Sequence, residues 1–530
     1  MTAILKPSRR LFLAGAAGAL AAPALAGCSF FQNMGWRKGD PFSLGVAAGD
    51  PSPDGFVIWT RLAPDPLHRD ETAPGGMSGP SVPVAYEIAA DERFKTIVQQ
   101  GTGLAEARYA YSVHVEVTGL TPGRPYWYRF HQGDAQSRVG RAMTAPSPGA
   151  PLARLNFGFA SCSNYEHGYF AAYRHLADEA PDLVLFLGDY IYEYADLRGG
   201  TVRRHSDGVE AKTLPLYRNR YAQYRLDPDL QRLHATSPAL MTWDDHEVQN
   251  DYADQWSQTF DDPSDFLKRR AAAYQAYYEH MPVRPSLSRP DGPTMRIYSS
   301  YGFGDLAAIS MLDGRQYRSR EACYGKPDKG HGHLESNNSC PERLAVERSM
   351  IGMAQEKWLF DTLAKSKTQW NIVGQDVLMV QQIQRLPSGE KAFWTDDWNG
   401  YPASRARLLQ HIHDSKVPNP VVVGGDIHAF FANDLKIDFD KPNAPVVATE
   451  FVGTSITAHP APRDTFAKGL SDNPQIKFFE SLKRGYAMVE VTPKAMVTRF
   501  EAISDEKDPA ASRSTLKTFT VESGKPGPQA

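Results

Sequence analysis

Residues 186–194, Phe-Leu-Gly-Asp-Tyr-Ile-Tyr-Glu-Tyr, set a carboxylate (Asp189) and a phenol (Tyr192) three positions apart, directly behind an apolar run at 182–187. A carboxylate can bridge two cations, and a phenolate is a hard anionic oxygen suited to Fe(III). Other donors stand in similar places: Cys162 behind the run at 155–160, Asn250 behind that at 239–243, and Asp426 and His428 behind that at 420–423. Thr242-Trp-Asp-Asp-His-Glu247 carries four consecutive ionisable residues, Asp244, Asp245, His246 and Glu247, which are costly to bury without a task. Gly424 and Gly425 let the backbone approach closely, and Asp426 and His428, two apart, share a side if the strand continues. Cys162, Asp189, Tyr192, Asn250, Asp426 and His428 form a donor set for ions that activate water, with Asp189, Asp245 and His246 as the groups nearest the chemistry.

These donors need a scaffold that brings strand ends together. Residues 155–160, a helical pattern with Phe170, Tyr173, Leu176 and Ala177, and residues 182–187 read as a βαβ unit. Further buried strands are expected at 239–243, 306–312, 370–373 and 420–423, with helices between them that include 265–279 and 343–364. Residues 486–491 and 497–500 read as a late strand pair, and the tail from about Glu522 as loose. Every donor follows one of the strands, the edge at which open α/β sheets gather their ligands. Ahead of this region, residues 41–146 show short alternating strands at 56–60, 82–88, 111–117 and 126–130. Turn signals such as Pro53-Asp-Gly55 and Thr121-Pro-Gly123 separate them, as in an Ig- or fibronectin-like β-sandwich.

The chain has 530 residues, 42% hydrophobic and 22% charged, with a formal net charge of -3. That balance excludes a nucleic-acid scaffold or a polybasic membrane binder. At the N-terminus, Ser8-Arg9-Arg10-Leu11-Phe12-Leu13 precedes a short apolar run to Leu25 that resembles a twin-arginine signal. The export machinery of that pathway is the expected partner, and the periplasm or cell surface the expected location. Ala24-Leu25-Ala26 suits plain cleavage, while Leu25-Ala26-Gly27-Cys28 suits a lipobox with Cys28 lipidated, the only expected membrane contact. Cys323 and Cys340 flank a polar segment and are expected to pair in an oxidising compartment. Cys162 is left over, either a buried small hydrophobe or a thiolate ligand.

Three further groups carry alternatives. Arg315 and Arg318, in Asp313-Gly-Arg-Gln-Tyr-Arg318, either meet an anionic substrate or pin loops to carboxylates. Trp394, Asp396, Asp397, Trp398 and Tyr401 either wall a pocket or pack. Arg203, Arg204 and His205 are expected to be solvated.

Gly188-Asp-x-x-Tyr192 with a late Gly-Asp-Ile-His428 resembles the calcineurin-like metallophosphoesterases, the purple acid phosphatases in particular. The chain departs from their Gly-Asn-His-Glu/Asp and Gly-His-x-His motifs. The signal, the β domain, Ala160-Ser-Cys162, Leu187-Gly-Asp-Tyr-Ile-Tyr-Glu193, Trp243-Asp-Asp-His-Glu-Val248, Leu312-Asp-Gly-Arg-Gln-Tyr-Arg318 and Trp398-Asn-Gly-Tyr401 are together similar to the PhoD family of alkaline phosphatases, over nearly the whole mature chain. That resemblance implies a layered α/β metallophosphoesterase domain at 152–505 behind the β-sandwich of 41–146, with a signal at 1–28, a spacer at 29–40, and a terminal strand and tail at 506–530. It implies an Fe(III) ion with two Ca(II) ions: Cys162 and Tyr192 on iron, Asp189 bridging iron and calcium, and Asn250, Asp426 and His428 completing the cluster. It implies hydrolysis of phosphomonoesters, with diesters as a further class and a phospholipase D-like phosphodiesterase as the alternative activity. A surface binding protein with a degenerate site is the reading from a different class. His246 is expected to protonate the leaving group or bond the phosphate, and Asp245 to orient His246 or hold a metal.

Overall fold

A computed structural model of the chain describes residues 39–195, 201–325 and 331–530. The twin-arginine signal, the Cys28 lipobox and all of the spacer but its last two residues lie outside the described residues.

Two large sheets lie face to face. One has nine strands, in the order Arg513–Glu522, Ala495–Ile503, Gly485–Val491, Leu155–Ala160, Leu183–Leu187, Ala239–Thr242, Val46–Ser52, Gly55–Arg61 and Ser112–Val117. The other has seven: Ser299–Phe303, Ala307–Met311, Trp370–Gly374, Pro420–Gly424, Val446–Val452, Phe430–Lys436 and Ile476–Glu480. Side-chain alternation builds the layers. Leu183, Leu185 and Leu187 point into the core between the sheets, where Ile309, Met311, Ile372, Val421, Val423 and Phe451 meet them. Val184 and Phe186 point the other way, onto the helices Ala171–Asp178, Leu214–Arg225, Pro228–Thr236 and Pro263–His280. The helices Met353–Lys365 and Pro402–Asp414 cover the outer face of the second sheet.

Within the first sheet, Leu155–Ala160, Leu183–Leu187 and Ala239–Thr242 run parallel. Within the second, Ala307–Met311, Trp370–Gly374, Pro420–Gly424 and Val446–Val452 do the same. The two parallel sets meet at their carboxyl ends, where Ser161 bridges to Ser455. That edge carries the candidate site.

The N-terminal β-sandwich pairs a sheet of Val82–Ala89, Ile97–Ala105, Pro125–Gln132, Ala135–Gln136 and Gly140–Met143 with Val46–Ser52, Gly55–Arg61 and Ser112–Val117. The latter three continue the nine-stranded sheet through a parallel pairing of Gly49 with Ala239.

Two expectations are corrected. The helix expected over 343–364 begins only at Met353, because Gly352 takes a left-handed φ of 74° and Pro341–Leu344 forms a separate 3-10 turn. The segment after Glu522 is fastened rather than loose: Thr520 exchanges both backbone hydrogen bonds with Gln529, and the Gly527 N–H donates to Thr449. Cys323 and Cys340 form a disulfide. Among the described residues no helix is long and apolar enough to cross a membrane.

Candidate active site

Cys162, Asp189, Asp426 and His428 each sit just past a strand end with a positive φ, between 52° and 63°. Non-glycine residues rarely adopt that conformation, and such strain collects at functional sites. The tight turns aim the side chains back into one space. Gly188 permits this at the first strand pair, since a Cβ there would lie 2.3 Å from the Asp244 Cβ. Gly425 does so at the second, where a Cβ would lie 2.5 Å from the Ser161 Oγ.

Two groups of donors result. Ligand atoms of Cys162, Asp189 and His428 lie within 4.8 Å of one another, and so do those of Asp189, Asp245 and His246. Asp189 belongs to both. The Tyr192 hydroxyl donates to Asp189 Oδ2 at 2.8 Å and lies 3.2 Å from His428 Nε2. His428 is fixed from behind, its Nδ1 2.7 Å from the His459 carbonyl, which leaves Nε2 facing the cluster. Asn250 and Asp426 share with His428 the wall of a cleft of about 350 Å³. The Asn250 carbonyl accepts from the Tyr194 hydroxyl at 2.8 Å, and its amide donates to Gln258.

The electrostatics call for positive charge. Burial first, then the neighbouring carboxylates, push the Cys162 thiol, the Tyr192 phenol and the Asp426 carboxyl well above their ordinary ranges. Asp189 is raised by burial and by Asp245 and Glu247, against the pull of His246. Its Oδ1 is buried and has no hydrogen-bond partner. Multivalent cations would reverse these shifts and occupy that orphaned oxygen. Thiolate, phenolate, carboxylate and neutral imidazole from one strand edge are a coherent donor set for such ions. Burial, then Arg484, lowers His428 to about 3, so it presents a neutral ring.

Comparison with known proteins agrees with this geometry. The PhoD-like phosphatase profile matches residues 157–500, and the profile of the PhoD-like phosphatase N-terminal domain matches residues 32–146. This chain belongs to the PhoD-like phosphatase family. Alkaline phosphatase D of Bacillus subtilis is 42% identical over 534 aligned residues, covering 98% of this chain and 88% of the relative. A solved structure titled "Structure of PhoD" superposes with a TM-score of 0.85 at 42% identity, covering 93% of this chain and 92% of that one. The chain is accordingly a phosphoric-ester hydrolase.

Within this PhoD-like site, the histidine and aspartates of the middle motif have distinct surroundings. His246 Nδ1 lies 2.7 Å from Glu193 Oε2, and its ring packs tilted against Tyr192 with centroids 4.1 Å apart. Burial alone would lower its pKa, but Asp245, Glu193 and Asp189 hold it well above the ordinary value. Asp245 accepts backbone N–H groups of His246 at 2.8 Å and Asp251 at 2.6 Å. Burial would raise its pKa; Arg315 and His246 outweigh that and depress it.

Of the two readings of Arg315 and Arg318, the one that pins loops to carboxylates is what the structure shows. Arg315 is fully buried and spans Asp244 at 2.5 Å and Asp396 at 2.9 Å, and Arg318 reaches Asp396 at 2.6 Å. Their charge is spent holding the loops behind the cluster. The solvated reading holds for Arg204 alone: Arg203 pairs with Asp227 at 2.6 Å and His205 is buried. Trp394, Asp396 and Asp397 wall the cleft, whereas Trp398 and Tyr401 pack into the core.

Three residues were not singled out in the sequence. Glu193 orients His246, and its signal was an acid inside the aromatic run Tyr190–Tyr194. Asp376 stands two residues past the strand Trp370–Gly374, the same offset as Asp426 from Gly424, and neither of its oxygens has a hydrogen-bond partner. Arg484 donates to the His428 carbonyl at 3.1 Å from the loop ahead of the strand Gly485–Val491, which no local pattern announces.

Proposed function

We propose that this PhoD-like phosphatase is metal-dependent, exported by the twin-arginine route and tethered through Cys28, and that it hydrolyses phosphomonoesters, and diesters as a second class. The single observation carrying metal dependence is Asp189: fully buried, common to both donor groups, with an oxygen no protein group satisfies. Cys162, Tyr192 and Asp189 would hold Fe(III), and Asn250, Asp426 and His428 would complete the donor set for iron and calcium. Bound there, the ions supply Lewis acidity and a hydroxide at neutral pH. The export reading rests on Arg9 and Arg10 ahead of a short apolar run.

The chain itself does the remaining work. Asp189, shared by the two donor groups, sets their spacing. His246 donates its Nδ1 proton to Glu193 and keeps Nε2 towards Asp189 and Asp245. A protonated Nε2 there can bond a phosphoryl oxygen or give its proton to the departing alkoxide. Asp245 stabilises that imidazolium and receives Asp251 N–H, so the loop cannot swing. The walls of the cleft hold the ester in line with the attacking oxygen.

The test is Asp189→Asn. It is expected to lower turnover of a nitrophenyl monoester about a hundredfold or more while circular dichroism stays native. The iron assignment predicts a visible charge-transfer band that is lost in Tyr192→Phe. A colourless, iron-free and fully active wild-type protein would overturn that assignment.

A further inference from the structure

The cleft beside the cluster has two unlike halves. At its inner end stand Asn250, Asp426 and His428. Its outer half is lined by Trp394, Ile427, Pro462 and Phe466, with Asp251 and Asp397 among them and no lysine or arginine. The aromatic walls are braced. Trp394 pairs with Leu334 on the neighbouring strand, and Gly332 sits so close that a Cβ there would lie 2.7 Å from the indole. Phe466 packs on Phe479 at 5.7 Å. Among the described residues, no cation stands within 4 Å of the Asp251 or Asp397 carboxylates, unlike Asp396, whose charge Arg315 and Arg318 meet.

We propose that this outer half is the leaving-group subsite, and that it takes an alcohol with an apolar or aromatic body and no negative charge. The inference rests on the phosphatase reading above. An ester whose phosphoryl group lies at the inner end must lead its organic part out along these walls. An apolar body removes water from Trp394, Ile427 and Phe466, and is favoured in proportion to the area covered. An added anionic group meets the carboxyls of Asp251 and Asp397, neither of which has a protein cation within 4 Å among the described residues. At a separation of several ångströms in a partly solvated cleft, such repulsion costs about tenfold or more in binding. Trp394 and Phe466 are therefore specificity-determining residues for the shape of the leaving group, and Asp251 and Asp397 for its charge.

The experiment compares phenyl phosphate with 4-carboxyphenyl phosphate on the holoenzyme, two esters of similar shape that differ by one remote charge. The expected kcat/KM ratio is about tenfold or more in favour of the phenyl ester. Gln384→Lys, which adds a cation to the same wall, should cut that ratio about tenfold. Phe466→Ala should raise KM for phenyl phosphate while the inhibition constant for inorganic phosphate, which has no leaving group, stays put. A wild-type ratio near one, with both esters turned over, overturns the subsite and leaves the phosphatase reading standing. No turnover of either ester overturns both.

Discussion

A histidine held by a buried glutamate is the most sharply testable residue pair in the site. Glu193 is fully buried, and its second oxygen receives the Asn250 N–H at 2.9 Å, so one carboxylate fixes both His246 and a candidate ligand. Glu193→Gln should lower kcat about 10–100-fold with little change in KM. In a His246→Asn background the same substitution should cost almost nothing further, because the two act as a unit. Additive losses in the double variant would show that Glu193 works elsewhere. At this scale the sequence was informative wherever a donor followed an apolar strand, as at Cys162, Asp189 and Asp426. It was silent where function depends on partners remote in the chain. Nothing local says whether the Arg315 guanidinium faces a substrate phosphate or the carboxylates of Asp244 and Asp396, since both are anions.

Individual elements brace the cleft from outside it. The Cys323–Cys340 bridge closes a loop with a sequence separation of 17, and that loop carries Leu334–Glu335, which pairs with the strand of Trp394. Gly332 of the same loop donates to Asp251 at 2.8 Å. Replacing both cysteines by serine should lower unfolding stability by about 2–4 kcal/mol, read as a shifted urea midpoint. A reductant should shift the wild type by the same amount and leave the double variant unmoved. On the second sheet, Glu450 is buried and accepts the N–H groups of Met379 at 2.6 Å and Val380 at 3.0 Å. Burial raises its pKa to about 7. The folded state therefore keeps a proton that the unfolded state releases. The resulting stabilisation is complete below the unfolded pKa and disappears as pH rises through 7, up to about 3 kcal/mol over that window. Urea midpoints between pH 4.5 and 7 should fall more steeply in the wild type than in Glu450→Gln, which starts about 1–3 kcal/mol lower because an amide mismatches two N–H donors. Strand positions were legible from apolar runs, and most lie within a residue or two of expectation. The start of Met353–Lys365 was not, because a helical pattern of side chains continues through Gly352 while the backbone does not.

At the scale of the whole molecule, two sheets converge on one edge. Strands from 155 to 242 bring Cys162, Asp189 and the Asp244–Glu247 motif, and strands from 307 to 452 bring Asp376, Asp426 and His428. The parallel order was readable from the alternation of strands and helices, but the division into two facing sheets was not. An apolar strand looks the same whichever sheet receives it. The same limit hid the continuity between the β-sandwich and the catalytic sheet, since the Gly49–Ala239 pairing links segments 190 positions apart. The Trp59 indole N–H donating to the Glu279 carbonyl at 3.1 Å ties the same two regions together. The central claim is that cations held by Asp189 and its neighbours make water the nucleophile. Its most direct test is nitrophenyl monoester turnover by the purified protein before chelation, after removal of all metal, and after iron and calcium are restored. The account predicts activity that vanishes with the metal and returns with it in a still-folded chain. Undiminished turnover by metal-free protein would contradict it.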